Sequence, residues 1–215
     1  MELLIELKKK IVDAMRYMDE KGLNHGRSGN VSIRVDRERV LITPSGVVKS
    51  ELKPEDIVLI NMNGEVLEGI RKPTVEVNLH LEIYRAYDYF NAVVHAHPVY
   101  SSVLAVLREP LPPVIEEMVL YTGGEIRVAE YAPFGTIELA RNAVEALRDR
   151  SAVILANHGV VACGRNLDEA LEILELVERV AQIYILARAT GLKYYTVPLD
   201  SLEKIREIYR SKFKS

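Results

Sequence analysis

The stretch Asn91-Ala-Val-Val-His-Ala-His-Pro98 carries the strongest indication of how this chain folds and what it does. Its apolar run is typical of a buried β-strand, and Pro98 marks the end of that strand. Side chains alternate between the two faces of a strand, so His95 and His97 should point to the same side. Two imidazoles placed in this way can share one metal ion.

A second apolar run, Ser151-Ala-Val-Ile-Leu-Ala-Asn-His-Gly159, also ends in a histidine, His158. Two strands that each deliver histidine at the carboxyl end predict a three-histidine site. Three protein ligands and one exchangeable position are typical of catalytic zinc, whereas structural zinc usually has four, mostly cysteine, ligands. Cys163 is the only cysteine, which excludes a cysteine-rich site. The alternative is ordinary polar residues at strand ends, because a single His-x-His pair is a weak motif.

Bulk properties set the broad class. The chain has 215 residues, is 48% hydrophobic and 27% charged, and has a formal net charge of −3. This fits one globular domain with a sizeable core, although length alone leaves a two-domain split open. Lysines interrupt the apolar positions of the first 18 residues, which predicts an amphipathic helix rather than a signal peptide. With one cysteine and no basic tract, we expect a cytoplasmic protein that binds neither nucleic acid nor membrane.

Hydrophobic periodicity predicts hairpins in the first part of the chain and alternating helices and strands in the second. A half-buried strand is expected over 30–35, and Asn63-Gly64 indicates a two-residue hairpin turn because both positions tolerate positive φ. Helices are expected over about 3–21, from Pro73 to about Tyr89, from a Thr136 cap, and from an Asn166–Glu169 capping pair to about Gly191. This mixture favours an α/β fold with helices on the faces of a largely antiparallel sheet.

Two loops have the composition of an anion-binding site. Asn24-His-Gly-Arg-Ser-Gly-Asn30 and Thr43-Pro-Ser-Gly46 can both expose successive backbone N–H groups. Ordinary turn chemistry explains the same residues, since Gly, Ser, Asn and Pro dominate turns. Neither loop fits a P-loop or a Rossmann fingerprint, so nucleotide binding is not supported.

Glu76 and His80 lie four residues apart on the helix predicted after Pro73 and could interact. Glu76 in a first helical turn could be an acidic residue stabilised by the helix dipole at the surface. His80 is a rival metal ligand, a partner of the ligands, or a partly buried helix histidine.

Taken in order, the motifs resemble the class II aldolase family that contains L-fuculose-1-phosphate aldolase and L-ribulose-5-phosphate 4-epimerase. The resemblance runs from Leu23 to about Leu186. The matching segments are Gly29-Asn30, Thr43-Pro-Ser-Gly46, Thr74-Val-Glu76, His95-Ala-His97, Tyr131-Ala-Pro-Phe-Gly-Thr136 and Asn157-His-Gly159.

The resemblance implies one Zn²⁺ per subunit, held by His95, His97 and His158. It implies that Glu76 fills the remaining zinc position in the free enzyme and becomes the catalytic acid/base when substrate displaces it. It also implies a substrate phosphate site, formed by Gly29, Asn30, Ser45, Gly46, Thr74 and Val75. The family's aldolases have two serines before the glutamate; here Thr74 keeps a hydroxyl and Val75 offers only its backbone N–H.

The implied architecture is a three-layer α/β/α sandwich around a mostly antiparallel sheet, formed by residues 1–215 as a single class II aldolase-type domain. The implied assembly is a homotetramer with active sites at subunit interfaces. The family's fuculose-phosphate aldolases use a tyrosine from a neighbouring subunit. Glu117 is the closest match to it here, which leaves Tyr121 or a tyrosine near the C-terminus as substitutes.

The implied reaction is reversible aldol cleavage of a ketose 1-phosphate such as L-fuculose 1-phosphate, giving dihydroxyacetone phosphate and a short aldehyde such as lactaldehyde. A pentulose-phosphate 4-epimerase and a sugar-phosphate dehydratase are alternatives on the same fold. A non-catalytic adducin-like homologue is a third. The presence of all three histidines and Glu76 argues against that last alternative.

Overall fold

The computed structural model describes residues 2–213. One eight-stranded sheet runs through the molecule in the order β4-β3-β2-β1-β5-β8-β7-β6. The strands are β1 (Asn30–Arg34), β2 (Arg39–Ile42), β3 (Val58–Asn61), β4 (Val66–Glu68), β5 (Ala92–Ala96), β6 (Val128–Ala129), β7 (Ala152–Leu155) and β8 (Gly159–Gly164). The helices are α1 (Glu2–Glu20), α2 (Val77–Ala86), α3 (Val99–Leu107), α4 (Glu116–Thr122), α5 (Ile137–Leu147), α6 (Leu167–Ala189) and α7 (Leu199–Ser211).

The strand directions bring the histidine-bearing segments to one edge. Every neighbouring pair is antiparallel except β6 and β7, which are parallel. Strand β8 lies between β5 and β7 and is antiparallel to both. Strands β5 and β7 therefore run in the same direction, and their carboxyl ends lie at the same edge of the sheet.

Helices cover both faces of the sheet, which confirms the three-layer α/β/α prediction. On one face, α1, α3, α4 and α6 pack against alternate strand residues such as Val31 and Val94. On the other face, α2 and α5 pack against residues such as Val93 and Val161. Both clusters are almost completely buried. Within residues 2–213, no helix combines the length and apolar character needed to cross a membrane.

Three local predictions differ from the structure. Strand β1 is not half-buried: Ser32 is 0% exposed and Asn30 is 3% exposed, because helix α2 covers the polar face of the strand. Helix α2 begins at Val77 and ends at Ala86, so it is shorter than predicted at both ends, and Glu76 precedes it as the N-cap residue. The predicted β3–β4 hairpin forms, but residues 62–65 separate its strands rather than two residues, and Gly64 has positive φ, at 82°.

Candidate active site

His95 and His97 lie where strand β5 ends. His95 is part of the strand and is completely buried. His97 follows the strand, immediately before Pro98, the residue that caps helix α3. The main-chain N–H of His97 donates to Asn24 Oδ1 at 3.2 Å, which ties the loop after α1 to the histidines.

His158 reaches the same point from the turn between β7 and β8, rather than from the end of β7 itself. Asn157 has a φ of 55° and turns the chain there. Gly159 lies so close to the two other histidines that a Cβ atom would be 2.4 Å from Ala96 O and 2.6 Å from the His97 ring. Only glycine therefore allows the histidines to approach this closely.

The three imidazoles face one another. One ligand nitrogen from each of His95, His97 and His158 lies within 4.8 Å of the others. The Nε2 atoms of His95 and His97 are 2.9 Å apart. Four ligands in a tetrahedron around Zn²⁺ lie about 3.3 Å from one another, given metal–ligand distances of about 2.0–2.1 Å. The distance between the His95 and His97 nitrogens is close to this value.

Glu76 provides the fourth group. Its side chain is buried, with Oε2 at 3.2 Å from His95 Nε2 and Oε1 at 3.5 Å from His158 Nε2. Glu76 Oε1 is buried and accepts no hydrogen bond within residues 2–213. A buried carboxylate oxygen without a partner is costly, and a cation between the carboxylate and the histidines would remove that cost.

The electrostatics keep the imidazoles neutral, which is the form that binds metal. Burial lowers the pKa of His95, His97 and His158, and the positive charge of neighbouring histidines lowers the pKa of His95 and His97 further. His95 Nδ1–H donates to Val160 O at 3.0 Å, which directs the Nε2 lone pair to the cluster. Three imidazole nitrogens and one carboxylate fit a divalent cation such as zinc.

The loops predicted to bind an anion come together beside Glu76. Ser45 N donates to Lys72 O at 3.0 Å, Thr74 N donates to Thr43 O at 3.0 Å, and Lys49 N donates to Gly26 O at 2.8 Å. These bonds join the segments around residues 26–29, 43–46 and 72–75.

The main-chain hydrogen bonds also show which donor group each predicted phosphate residue has free for a ligand. Ser45 and Thr74 use their N–H groups on carbonyl oxygens, so each can offer only its hydroxyl. Gly29, Gly46 and Val75 lie outside helices and strands. Within residues 2–213, their main-chain N–H groups donate to no main-chain oxygen. Gly29 and Gly46 have positive φ, at 73° and 75°.

The side chain of Asn30 contacts Glu76 and His80. Its Nδ2 donates to Glu76 Oε2 at 2.8 Å and its Oδ1 contacts His80 Nε2. His80 is fully buried and lies outside the three-histidine cluster. Its contact with Glu76 runs through Asn30, and this favours the interpretation of His80 as a partner of the site rather than a ligand.

Sequence reasoning missed Lys49. It is 2% exposed, and its Nζ donates to Pro44 O at 3.0 Å. Burial lowers the pKa of Lys49 to about 8, while the negative charge of Glu76 acts in the opposite direction. A lysine in a short 3-10 turn among many charged residues gives no sequence signal.

Glu117 and Tyr121, the candidates for the family's neighbouring-subunit tyrosine, both lie on helix α4. Glu117 is exposed on α4 and pairs with Arg179 of α6. Tyr121 is partly buried, with the Lys212 amine 4.4 Å from its ring centroid. Neither has a described contact with the histidine cluster within one chain.

The segment Tyr131–Thr136 borders the site. A Cβ atom on Gly135 would be 3.0 Å from Val75 O, and Asn78 Nδ2 donates to Gly135 O at 3.3 Å. Thr136 then caps α5 by accepting from Leu139 N, as predicted. This segment therefore packs against the turn that carries Glu76.

The chain matches the family described as Class II Aldolase and Adducin N-terminal domain over residues 9–185. A 5-deoxy-D-ribulose 1-phosphate aldolase from Bacillus thuringiensis is 40% identical over 205 residues, which cover 94% of this chain and 95% of that protein. An L-fuculose phosphate aldolase from Escherichia coli K12 is 36% identical over 210 residues, with 98% and 95% of the two chains covered.

The fold is similar to that of solved aldolases. A structure of an L-fuculose 1-phosphate aldolase superimposes with a TM-score of 0.90 at 42% identity and covers 98% of this chain and 97% of its own. Because the family match spans most of the sequence and the relatives align over nearly their full lengths, this chain belongs to the class II aldolase family and is a lyase of the aldolase type.

Proposed function

We propose that this enzyme cleaves a ketose 1-phosphate reversibly between C3 and C4, with L-fuculose 1-phosphate as the first candidate, giving dihydroxyacetone phosphate and lactaldehyde. The observation that carries the proposal is the convergence of His95, His97, His158 and Glu76 beside three loops with free main-chain N–H groups. The relative from B. thuringiensis is named for 5-deoxy-D-ribulose 1-phosphate. Cleavage of that sugar would give the same three-carbon phosphate and acetaldehyde, so a short aldehyde with a methyl end is common to both candidates.

The three histidines would hold one Zn²⁺ per subunit, with Glu76 as a fourth ligand in the absence of substrate. When bound, the metal supplies a Lewis acid that stabilises the negative charge left on the substrate oxygens by C3–C4 cleavage. The neutral state of the imidazoles and the fixed orientation of His95 support this assignment.

Glu76 would carry the proton. The C4 hydroxyl would lose its proton to solvent as it becomes the aldehyde, and the C3–C4 electron pair would stay on the three-carbon fragment as an enediolate. Glu76, protonated from solvent, would then deliver a proton to C3 to complete dihydroxyacetone phosphate. In the synthetic direction the carboxylate would remove that proton. Oε1 is suited to this step because Oε2 already accepts from Asn30.

The substrate phosphate would bind to the loops. Gly29, Gly46 and Val75 would donate main-chain N–H groups, and Ser45 and Thr74 would donate hydroxyls. The backbone of Asn30 belongs to the same segment as Gly29. Lys49 would supply a buried positive charge, since its amine lies on Pro44 O at the base of the Thr43–Gly46 loop.

We also propose that residues 1–215 act as a single domain and that the enzyme is a cytoplasmic homotetramer with active sites at subunit interfaces. One continuous sheet supports the single domain. Exposed apolar residues on the outer faces of α3 and α6, including Val106, Leu107 and Leu186, support association with further copies. Size-exclusion chromatography with light scattering measures this assembly.

A 4-epimerase and a dehydratase would use the same groups, so the products must be measured. The experiment is a panel of ketose phosphates incubated with metal-loaded protein, with dihydroxyacetone phosphate, epimer and water-loss product quantified separately. Release of dihydroxyacetone phosphate that disappears with a chelator and returns with Zn²⁺ supports the proposal. An epimer or a dehydrated product without that release would contradict it.

A further inference from the structure

A row of polar side chains connects strand β1 to helix α2 beneath the candidate site. Asn30 and Ser32 lie on one face of β1, two residues apart, which corresponds to about 6.8 Å along a strand. Glu76, His80 and Tyr84 follow one side of α2 at intervals of four residues, which correspond to about 6 Å along a helix. Because the two spacings nearly match, successive side chains from the strand and the helix can meet. We call these five residues the β1–α2 polar row.

The polar row is connected without a gap. Tyr84 Oη lies 2.8 Å from Ser32 Oγ, and Ser32 Oγ lies 2.7 Å from His80 Nδ1. His80 Nε2 contacts Asn30 Oδ1, and Asn30 Nδ2 donates to Glu76 Oε2 at 2.8 Å. All five residues are at most 6% exposed, so water does not compete for these bonds.

Each bond in the row can have only one direction. A carboxylate only accepts, so Asn30 must turn its NH₂ to Glu76 and its oxygen to His80. His80 Nε2 must then be the donor. Burial lowers the pKa of His80 to about 3, with His95 acting in the same direction and Glu76 opposing, so the ring is neutral and Nδ1 must accept. Ser32 donates to Nδ1 and in turn accepts from Tyr84.

The opposite arrangement is unfavourable. An Nδ1–H tautomer of His80 would leave Nε2 as an acceptor, and Asn30 would have to rotate its amide to donate to it. The Asn30 oxygen would then face Glu76 Oε2 at hydrogen-bond distance, with two acceptors and no proton between them. The direction of the whole row is therefore linked to the position of one carboxylate oxygen.

We propose that His80 is a positioning residue that acts through Asn30 to hold Glu76 Oε2, leaving Oε1 as the oxygen that accepts no hydrogen bond within residues 2–213. This proposal rests on the proposed function only for its kinetic consequence. The neutral state of His80, its proton on Nε2 and the Asn30 amide donating to Glu76 do not depend on which substrate the enzyme uses.

The first test measures the tautomer directly. Long-range ¹H–¹⁵N spectra of protein labelled at histidine, recorded with and without bound Zn²⁺, should give His80 a protonated Nε2 and an unprotonated Nδ1 in both samples. A His80→Gln variant identifies the resonances. An Nδ1–H tautomer or an imidazolium at pH 7 would overturn the proposal, whatever the enzyme's substrate.

The second test uses kinetics. His80→Leu removes the donor to Asn30, and kcat should fall about 10–100-fold, as expected when a catalytic group is misplaced by about 1 Å. KM should change much less, because the main-chain donors of the phosphate loops are untouched. His80→Gln keeps an N–H near the Nε2 position and should recover most of kcat. Ser32→Ala leaves His80 Nδ1 without a donor and should give an intermediate loss.

Leu79→Ala is the matched control, since Leu79 is equally buried on α2 but has no place in the polar row. If Leu79→Ala lowers kcat as much as His80→Leu, or if His80→Gln recovers nothing, the effect is general to the helix and the positioning role is wrong. Should His80→Leu fail to fold, the tautomer measurement and Ser32→Ala still decide. A wild-type enzyme inactive on every ketose phosphate would refute the proposed function and leave the tautomer result standing.

Discussion

Replacing Lys49 with methionine should stabilise the protein and weaken its binding of phosphate. The pKa of Lys49 lies near 8, against 10.5 for a free lysine, because the amine is buried. A difference of about 2.5 units corresponds to about 3 kcal/mol against the charged form at pH 7. Methionine removes this cost and loses the hydrogen bond to Pro44 O, at about 1–2 kcal/mol. Lys49→Met should therefore be about 2 kcal/mol more stable than the wild type at pH 7.

The contribution of Lys49 to wild-type stability changes with pH in one direction. Between pH 8 and pH 10.5 the unfolded chain binds a proton on Lys49 that the folded protein has released, so wild-type stability rises with pH in this window. The gain from Lys49 is about 2.5 kcal/mol between pH 7 and pH 10. The advantage of Lys49→Met should disappear over the same range.

The assay is urea unfolding of metal-free wild type and Lys49→Met at several pH values from 7 to 10, followed by binding of dihydroxyacetone phosphate to the metal-loaded forms. Lys9→Met on the exposed face of α1 controls for the loss of one positive charge. We expect phosphate affinity to fall about 10–100-fold in Lys49→Met, as for loss of a charge-assisted hydrogen bond. A variant that is less stable at every pH, by a constant amount, would refute the reasoning.

Three further predictions concern the site. His95→Ala should lose most of its bound zinc, measured by elemental analysis of dialysed protein; unchanged metal content would place the metal elsewhere. Glu76→Gln should keep most of its zinc but lose about 10²–10⁴-fold in solvent deuterium exchange into dihydroxyacetone phosphate, followed by NMR, because an amide cannot accept the proton. Exchange at the wild-type rate would assign the base to another residue. Dihydroxyacetone should exchange far more slowly than its phosphate, and equal rates would contradict the phosphate site.

The histidine cluster was accessible from sequence because its signals are local. Strand alternation places His95 and His97 on one side, and a second apolar run leads to His158. The fold followed from the same patterns. The position of His158 in a turn rather than at a strand end was not predictable, because Asn157 can adopt positive φ without any special sequence context.

Other features depend on contacts between distant segments. Asn24 reaches the His97 backbone, and Lys49 reaches Pro44 O only because the loops pack together. Strand β1 illustrates the same limit. The alternation of Asn30, Ser32 and Arg34 with apolar residues is typical of a strand with one face in water. Here a polar side of α2 covers that face, and nothing in the strand itself distinguishes the two cases.

The buried polar groups of the candidate site lower the stability of the folded chain when no ligand is bound. Lys49 is held charged at neutral pH against its burial, and Glu76 Oε1 has no hydrogen-bond donor in the described chain. The cluster adds imidazoles that repel one another when protonated. Each of these groups destabilises the ligand-free folded chain, and a bound cation or phosphate would offset that destabilisation.

Since ligands that bind only the folded state stabilise it, metal and phosphate together should raise the unfolding temperature more than either does alone. A thermal melt with zinc and dihydroxyacetone phosphate, added separately and together, measures this directly, and a metal that leaves the melting temperature unchanged would contradict the argument.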